Sequence, residues 1–554
     1  MFEAPTRALL IHPYFYGASF WNYRAACEVL GAKYPSAPLG LITLAAMLPK
    51  EWDVRLVDRN TGELTDDDLA WADVAMIGSM LPQAFDALDL IKRCQDFGLP
   101  VVVGGPDPTS RPEIYEGADF AVLGEAEGAI DAFLDDWRAG AKSGRYVAPK
   151  FTIDVTKTPA PRYDLLKFED YIYVGIQFSR GCPFLCEFCD IIELYGRVPR
   201  SKGFDQILHE LDTLYRLGYR GHVDFVDDNL IGNKKVVKEF IPLLIEWQKA
   251  RNFPFEFSTE ASLNLADDEE LLALMQAAGF FIVFVGIESP DEEVLKATRK
   301  KQNTKRDIAD NINRIYAFGM IVIGGFIVGF DSEKNNVARA TTRLIEDASI
   351  AVSMVGLLYA LPNTQLSRRL TKEGRMHQLQ FTPADGVPEG DQCTAGLNFE
   401  TSRPREEVLR DYRDIVRDIY SAKAFFGRVQ RAALAIEIDS DVRLLSLSKS
   451  LRDIPRFLRL AKAMTFDLRE ARQHFWRLLL VLLIRNPRAI KSAMNMAALY
   501  MHLGPFSGFV VGQIEAQIAS IRDGSMPPPI LIAPDAGSGS AALPEKYRRK
   551  AIAR

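Results

Sequence analysis

Cys182, Cys186 and Cys189 stand in the run S-R-G-C-P-F-L-C-E-F-C-D, a C-x3-C-x2-C triplet in a chain with six cysteines. Three thiolates this close can converge on one inorganic centre, and thiolate sulfur selects iron–sulfur clusters, zinc or Cu(I). A structural zinc site takes four ligands, commonly as two separated pairs. Here no fourth cysteine is near, and His209 and His222 follow Cys189 by 20 and 33 residues. A four-iron cluster normally takes four cysteines. Three leave one iron open to a small molecule, which makes the triplet a reaction centre rather than an electron carrier. Cys27, Cys94 and Cys393 are scattered and read as buried small hydrophobes. A disulfide framework does not suit a chain so long and so poor in cysteine.

The elements around the triplet form a β/α series. Strands are expected at Tyr171–Phe178, His222–Val226, Phe255–Ser258, Phe281–Val285, Ile321–Ile327 and Val352–Tyr359. Helical stretches such as Phe204–Leu217, Lys234–Ala250, Asp268–Ala278 and Lys305–Phe318 separate them. Six parallel strands with helical crossovers predict a partial (β/α)6 barrel of the TIM type over 171–375. Its chemistry would sit at the carboxyl ends of the strands. The cysteines follow the first strand and Asp227-Asp228-Asn229 the second. Glu260 follows the third, Gly286 and Glu288 the fourth, and Gly329-Phe330-Asp331 the fifth. Such groups can hold an amine and a ribose, although Asp227-Asp228-Asn229 would equally cap the next helix.

Residues 1–145 predict a separate doubly wound α/β domain of Rossmann-like or flavodoxin-like type. The apolar runs Ala8–His12, Val54–Val57, Val74–Ile77, Val101–Val103 and Phe120–Leu123 alternate with helices such as Leu39–Leu48 and Ala84–Phe97. Ligands on such sheets bind beyond the carboxyl ends of the strands. Gly78-Ser79, Gly104-Gly105 and Gly124-Glu125 lie there. Each alone reads as a tight turn; three together point to a close-fitting planar or phosphate-bearing ligand. Pro149, Pro159 and Pro161 mark 146–170 as a linker.

Beyond residue 375 the pattern changes. A polar, glycine-rich loop is expected near 376–400, then a helical domain to about 530 and a disordered tail over 531–554. From Thr401 onward Lys and Arg outnumber Asp and Glu, so residues 1–400 carry more than the whole net charge of −6. A basic module on an acidic body invites an acidic partner. Phe475–Ile484 is apolar, and Ala493–Ile514 runs 22 residues without Lys, Arg, Asp or Glu. That length admits a membrane span. Gly504-Pro505 argues instead for two packed core helices. The preceding Leu451–Lys491 segment is basic and amphipathic, which suits either plain packing or an anionic membrane surface. Met1–Arg7 runs directly into a strand with no secretory pattern, so a cytoplasmic setting is expected, with peripheral contact to the inner membrane face as a further option.

The cysteine triplet at the end of a first barrel strand resembles the signature of the radical S-adenosylmethionine superfamily. Val226-Asp227-Asp228-Asn229, Val285-Gly286-Ile287-Glu288-Ser289, Gly325-Phe326-Ile327-Val328-Gly329 and Leu361-Pro362-Asn363-Thr364 follow in order and resemble the subgroup with an amino-terminal cobalamin domain. Pro38-Leu39-Gly40-Leu41, Val57-Asp58, Gly104-Gly105-Pro106 and Gly124-Glu125-Ala126-Glu127 fit that domain. The D-x-H-x-x-G motif, whose histidine ligates cobalt, does not occur. The resemblance therefore implies cobalamin without a histidine ligand, with Ser79-Met80-Leu81 near its lower face.

The resemblance also implies a [4Fe–4S] cluster on the three cysteines, S-adenosylmethionine on the open iron, a 5′-deoxyadenosyl radical that abstracts hydrogen, and methylcobalamin as methyl donor. Asp228 and Asn229 would hold the methionyl end, with Asp227 beside them. Glu260 and Glu288 would hold ribose or amine, Arg197 the carboxylate. Gly286, Gly104, Gly105, Gly124 and Glu125 would line the cofactors. Gln177–Ile191, Leu194–Arg197 and Val226–Asn233 resemble the hopanoid C-2 methylase type, which implies a hopanoid or other lipid substrate and a flavodoxin- or ferredoxin-type electron donor. An oxidative cyclase on the same architecture is the alternative enzyme, and a cobalamin or iron–sulfur sensor the alternative non-enzyme. No helix-turn-helix or finger pattern points to nucleic acid, and the second cysteine triplet of methylthiotransferases is missing.

Overall fold

The computed structural model describes residues 5–15, 19–378, 392–437 and 447–533, of which 447–453 by backbone alone. The core of the expected loop, 379–391, and the tail from 534 lie outside the described residues.

The strands are β1 (Arg7–His12), β2 (Tyr34–Ser36), β3 (Asp53–Asp58), β4 (Val74–Gly78), β5 (Val101–Gly104), β6 (Phe120–Leu123), β7 (Gly144–Val147), β8 (Tyr171–Ile176), β9 (Ser179–Arg180), β10 (Arg200–Ser201), β11 (Gly221–Phe225), β12 (Phe255–Ala261), β13 (Phe280–Glu288), β14 (Ile321–Val328) and β15 (Val352–Leu357). They form a six-stranded sheet in the order β3-β1-β4-β5-β6-β7, a seven-stranded sheet in the order β15-β14-β13-β12-β11-β8-β2, and the β9–β10 pair.

Both large sheets are parallel. In the first, one apolar cluster fills each face. Its order reverses between β1 and β4, the switch point where ligands of open α/β sheets bind.

The second sheet is a half-barrel, because β15 and β2 lie at opposite edges. Side chains alternate between its faces. Val223, Phe225, Phe255, Phe257, Val283 and Val285 pack under the helices. The alternate residues His222, Asp224, Glu256, Ser258 and Phe284 take the concave side, with Asp224 opposite Ser258 and His222 opposite Glu256.

Four features differ from the sequence reading. β2 leaves the amino-terminal domain and pairs with β8, and the preceding helix Arg24–Leu30 packs on the carboxy-terminal helices. β7 begins the supposed linker and completes the first sheet. Residues on both sides of 379–391 are ordered: Met376 bridges Phe399 and His377 bridges Leu531. The expected break at Gly504-Pro505 is absent; Ile490–Arg522 is a single 33-residue helix with Pro505 inside. No helix among the described residues is long and apolar enough to cross a membrane.

The carboxy-terminal helices share the half-barrel's core. Arg428, fully buried on the helix Ala422–Ala435, fastens them. Its Nε donates to the Ile350 carbonyl (2.8 Å), and its other nitrogens reach Glu346 and the Ile419 carbonyl. Arg428→Met strips two buried carbonyls of their donor and is expected to cost about 3 kcal/mol. An unchanged urea midpoint would contradict this.

Candidate active site

The cysteine loop is braced from several sides. The Cys182 amide donates to the Gly196 carbonyl (3.2 Å). Gly181, at φ +96°, lies so close that a Cβ would stand 2.9 Å from that oxygen, so only glycine fits. The Glu187 amide donates to the Thr298 carbonyl, and the Leu366 amide to the Glu187 carbonyl. Arg369 pairs with Glu187 at 3.0 Å and Arg368 with Glu193 at 2.6 Å.

The three thiols lie within electrostatic reach of one another, and burial pushes all of them up from the usual cysteine range. They stay protonated until a metal displaces the protons. Amide donors face the sulfurs: Asn229 Nδ2 lies 4.0 Å from Cys182 Sγ, and Gln302 Nε2 3.7 Å from Cys186 Sγ. Such donors favour thiolate. No three Cys, His, Asp or Glu side chains among the described residues converge on a single metal ion.

The other groups divide into those engaged by the protein and those left facing the hollow. Asp227 is engaged: it accepts from the Phe178 amide (2.9 Å), the Ser179 amide and the Ser179 hydroxyl (2.5 Å), locking the end of β8. Asn229 Oδ1 accepts from the Ser262 amide at 3.1 Å. Asp228 accepts from the Gly181 amide at 3.2 Å, at the root of the cysteine loop. Glu288 sits after a bulge, at φ +68°, and pairs with buried Lys300 at 2.6 Å. Gly286 makes room for that pair, since a Cβ there would lie 2.9 Å from Lys300 Nζ. Burial alone would discharge Lys300; the Glu288 carboxylate keeps it charged.

Glu260 is exposed although protein surrounds it, because it faces the hollow. Burial, then Asp224, Asp228 and Asp227, push it up to about 8. Burial likewise pushes Asp228 up to about 6. A bound cation would relieve both. Arg197 is exposed and makes no hydrogen bond or ion pair with the described residues. It directly follows Gly196, whose carbonyl accepts from the Cys182 amide.

In the first sheet, Ser79 and Met80 follow β4 at the switch point. Ser79 shares a hydrogen bond with Tyr115 (3.1 Å), and Met80 is 44% exposed. Gly104 and Gly105 answer to the protein's own backbone: Cβ atoms there would lie 2.9 Å from the Val122 and Ser79 carbonyl oxygens. Gly124, at φ +85°, donates its amide to Thr109. His12 ends β1, but Asp58 (3.1 Å) and Gln83 (3.0 Å) occupy both of its ring nitrogens.

Glu125 has a different task from the expected cofactor contact. Its two oxygens pair with Arg180 and Arg200, each at 3.0 Å. Glu127 pairs with Arg180 at 2.7 Å. Burial alone would raise the Glu127 carboxyl; Arg180 outweighs it and holds the group below the usual range. Arg180 stands two residues before Cys182, so this buried network clamps the first sheet's strand ends beside the cysteine loop. Asn363 adds a tether to the Ser110 carbonyl (2.8 Å).

The chain matches the B12 binding domain over residues 29–134, the radical SAM superfamily over 176–345 and a domain of unknown function, DUF4070, over 364–516. It is 39% identical over 520 residues to an uncharacterised methyltransferase of Synechocystis, covering 92% of this chain and 94% of that one. It is 38% identical over 394 residues to hopanoid C-2 methylase of Rhodopseudomonas palustris, covering 71% and 72%. The chain belongs to the cobalamin-dependent radical S-adenosylmethionine methylase family. The fold is that of the cobalamin-dependent radical enzyme OxsB with aqua-cobalamin bound, at a TM-score of 0.57 and 16% identity over 94% of this chain and 82% of that one.

This methylase therefore uses a [4Fe–4S] cluster, S-adenosylmethionine and cobalamin. Its site fits them: buried thiols with amide donors suit a cluster, an acid-lined hollow suits a cationic sulfonium, and the switch point suits a flat cofactor. Roles for Arg180, Lys300 and Gln302 escaped the sequence reading, which quoted Glu127 only within the domain motif. Their signals were an arginine just ahead of the triplet and the polar run Arg299-Lys300-Lys301-Gln302-Asn303.

Cys186→Ala is expected to lose most of the reconstituted iron and keep cobalamin uptake; full iron retention would contradict the ligand set. Gln302→Leu removes the sulfur's amide donor and is expected to lower S-adenosylmethionine cleavage about 10–100-fold. Wild-type cleavage would assign Gln302 to packing alone.

Proposed function

We propose that this chain is a C-methyltransferase acting on an unactivated carbon of a hopanoid or other polycyclic lipid. The observation that carries the reading is the clamp of Arg180 and Arg200 on Glu125 and Glu127, which sets the cobalamin-domain strand ends against the cysteine loop. S-adenosylmethionine at the cluster supplies the hydrogen-abstracting radical, and cobalamin supplies the methyl group.

The protein's own contribution is placement. Cys182, Cys186 and Cys189 hold the cluster. Asp228 and Glu260 would hold the cationic methionyl end, and Asn229 and Asp227 keep the loop in register. Met80, exposed after β4, would line the cobalamin site. Lys300, held charged by Glu288, would serve beside Arg197 as a cation for the methionyl carboxylate. A flavodoxin- or ferredoxin-type protein supplies the electron.

A lipid substrate is supported by an aromatic path from the concave face to the carboxy-terminal domain. Phe284 on β13 meets Trp21 at 5.6 Å. Trp21 meets Tyr23 at 6.4 Å, Tyr23 meets His502 at 5.6 Å, and His502 stacks on Phe506 at 5.3 Å. Trp21 is 38% exposed at the concave end of this path, and burial pushes the His502 imidazole towards its neutral form. An uncharged hydrocarbon is the ligand such a lining favours. Similarity to hopanoid C-2 methylase points the same way.

The test is anaerobic reconstitution with iron, sulfide and cobalamin, followed by mass spectrometry with candidate polycyclic lipids. Methylated lipid should form with S-adenosylhomocysteine and 5′-deoxyadenosine in equal amounts. Deoxyadenosine without matched S-adenosylhomocysteine would mark an oxidative cyclase instead. Trp21→Ala is expected to weaken lipid turnover about tenfold and spare lipid-free cleavage.

A further inference from the structure

The helix Arg472–Arg485 is apolar on two sides. Phe475, Leu478, Leu479 and Leu482 are buried, and the helix packs on Ala422–Ala435. The opposite side is bare: Trp476 is 45% exposed, Leu480 and Leu483 each 61%, and Ile484 75%. The preceding helix Leu447–Phe466 exposes Phe466, and the Trp476 indole donates to Thr465 at 3.1 Å, joining the two into one surface. A helix that is apolar all round is normally buried. Here half of it has no cover among the described residues.

Charge selects what covers it. Arg472, Arg477, Arg485 and Arg488 are exposed around the bare side and form no ion pair with the described residues. No Asp or Glu occurs from Ala471 to Lys491. A second copy docked about a two-fold axis would set these arginines against one another. The segment from 534 is itself basic near its end, with Lys546, Arg548, Arg549 and Lys550, and is repelled in the same way. Apolar side chains ringed by unpaired arginines, with a tryptophan at the margin, match an anionic lipid surface. Leucines and isoleucine enter the acyl boundary while guanidinium groups stay with phosphates.

We propose that the face formed by Trp476, Leu480, Leu483 and Ile484, with Arg472, Arg477 and Arg485, docks the enzyme on an anionic membrane surface. Docking is independent of the chemistry at the cluster. Loss of vesicle binding would leave methylation standing, and loss of methylation would leave docking standing.

The test is co-sedimentation of the full-length protein with vesicles of equimolar phosphatidylcholine and phosphatidylglycerol, or of phosphatidylcholine alone. Wild type should bind the mixed vesicles at low salt, less at high salt, and the neutral vesicles weakly. Leu480→Asp/Ile484→Asp and Arg472→Gln/Arg477→Gln/Arg485→Gln should each weaken binding about tenfold or more, with thermal stability unchanged because all five side chains are exposed. Absence of binding to mixed vesicles would overturn the proposal, as would variants that bind like wild type. A dimer in solution that Leu480→Asp/Ile484→Asp dissociates would assign the face to a second copy. A drop in stability would assign it to the protein's own chain.

Discussion

Two arginines and two glutamates hold the reacting halves of this enzyme together. Arg180 and Arg200 belong to the half-barrel, Glu125 and Glu127 to the cobalamin domain, and all four are largely withdrawn from water. Buried ion pairs of this kind contribute modestly to net stability, yet removing one partner strands the other. Their value here is geometric. The clamp begins two residues before Cys182 and reaches the residues just after Gly124, so it holds the β6 end of the first sheet beside the cysteine loop.

Inside that frame, charge is distributed by need. The concave side gathers Asp224, Asp228 and Glu260; burial holds all three above the usual carboxylate range, and Asp224 and Asp228 push Glu260 further up. A cationic cofactor is the natural counterion. Next to the sulfurs the sign reverses: charged Lys300 and the Asn229 and Gln302 amides favour thiolate. A negative wall beside a positive floor suits a molecule that carries both a sulfonium and a carboxylate.

The parts legible in the sequence were those with local signatures. The apolar runs located β1, β3–β6 and the six barrel strands from β8 to β15, because buried parallel strands read as continuous Val, Ile and Phe. The cysteine triplet was legible from spacing alone. What escaped depends on contacts between distant residues. Tyr34-Pro35-Ser36 is too short to show a period, and only β8 makes it a strand. Glu125 read as a ligand contact because its partners lie 55 and 75 residues away. Pro505 read as a helix break, but packing carries the helix through it.

The account stands on the clamp, and the ratio of methylated product to 5′-deoxyadenosine in Arg180→Met tests it most directly, with Glu127→Gln alongside. Iron and cobalamin content should match wild type in both variants. Deoxyadenosine should still form while methylated product falls well below it, because the radical and the methyl donor no longer face one substrate. A ratio equal to that of wild type would show that the two halves of the site are aligned without Arg180, and would contradict the account.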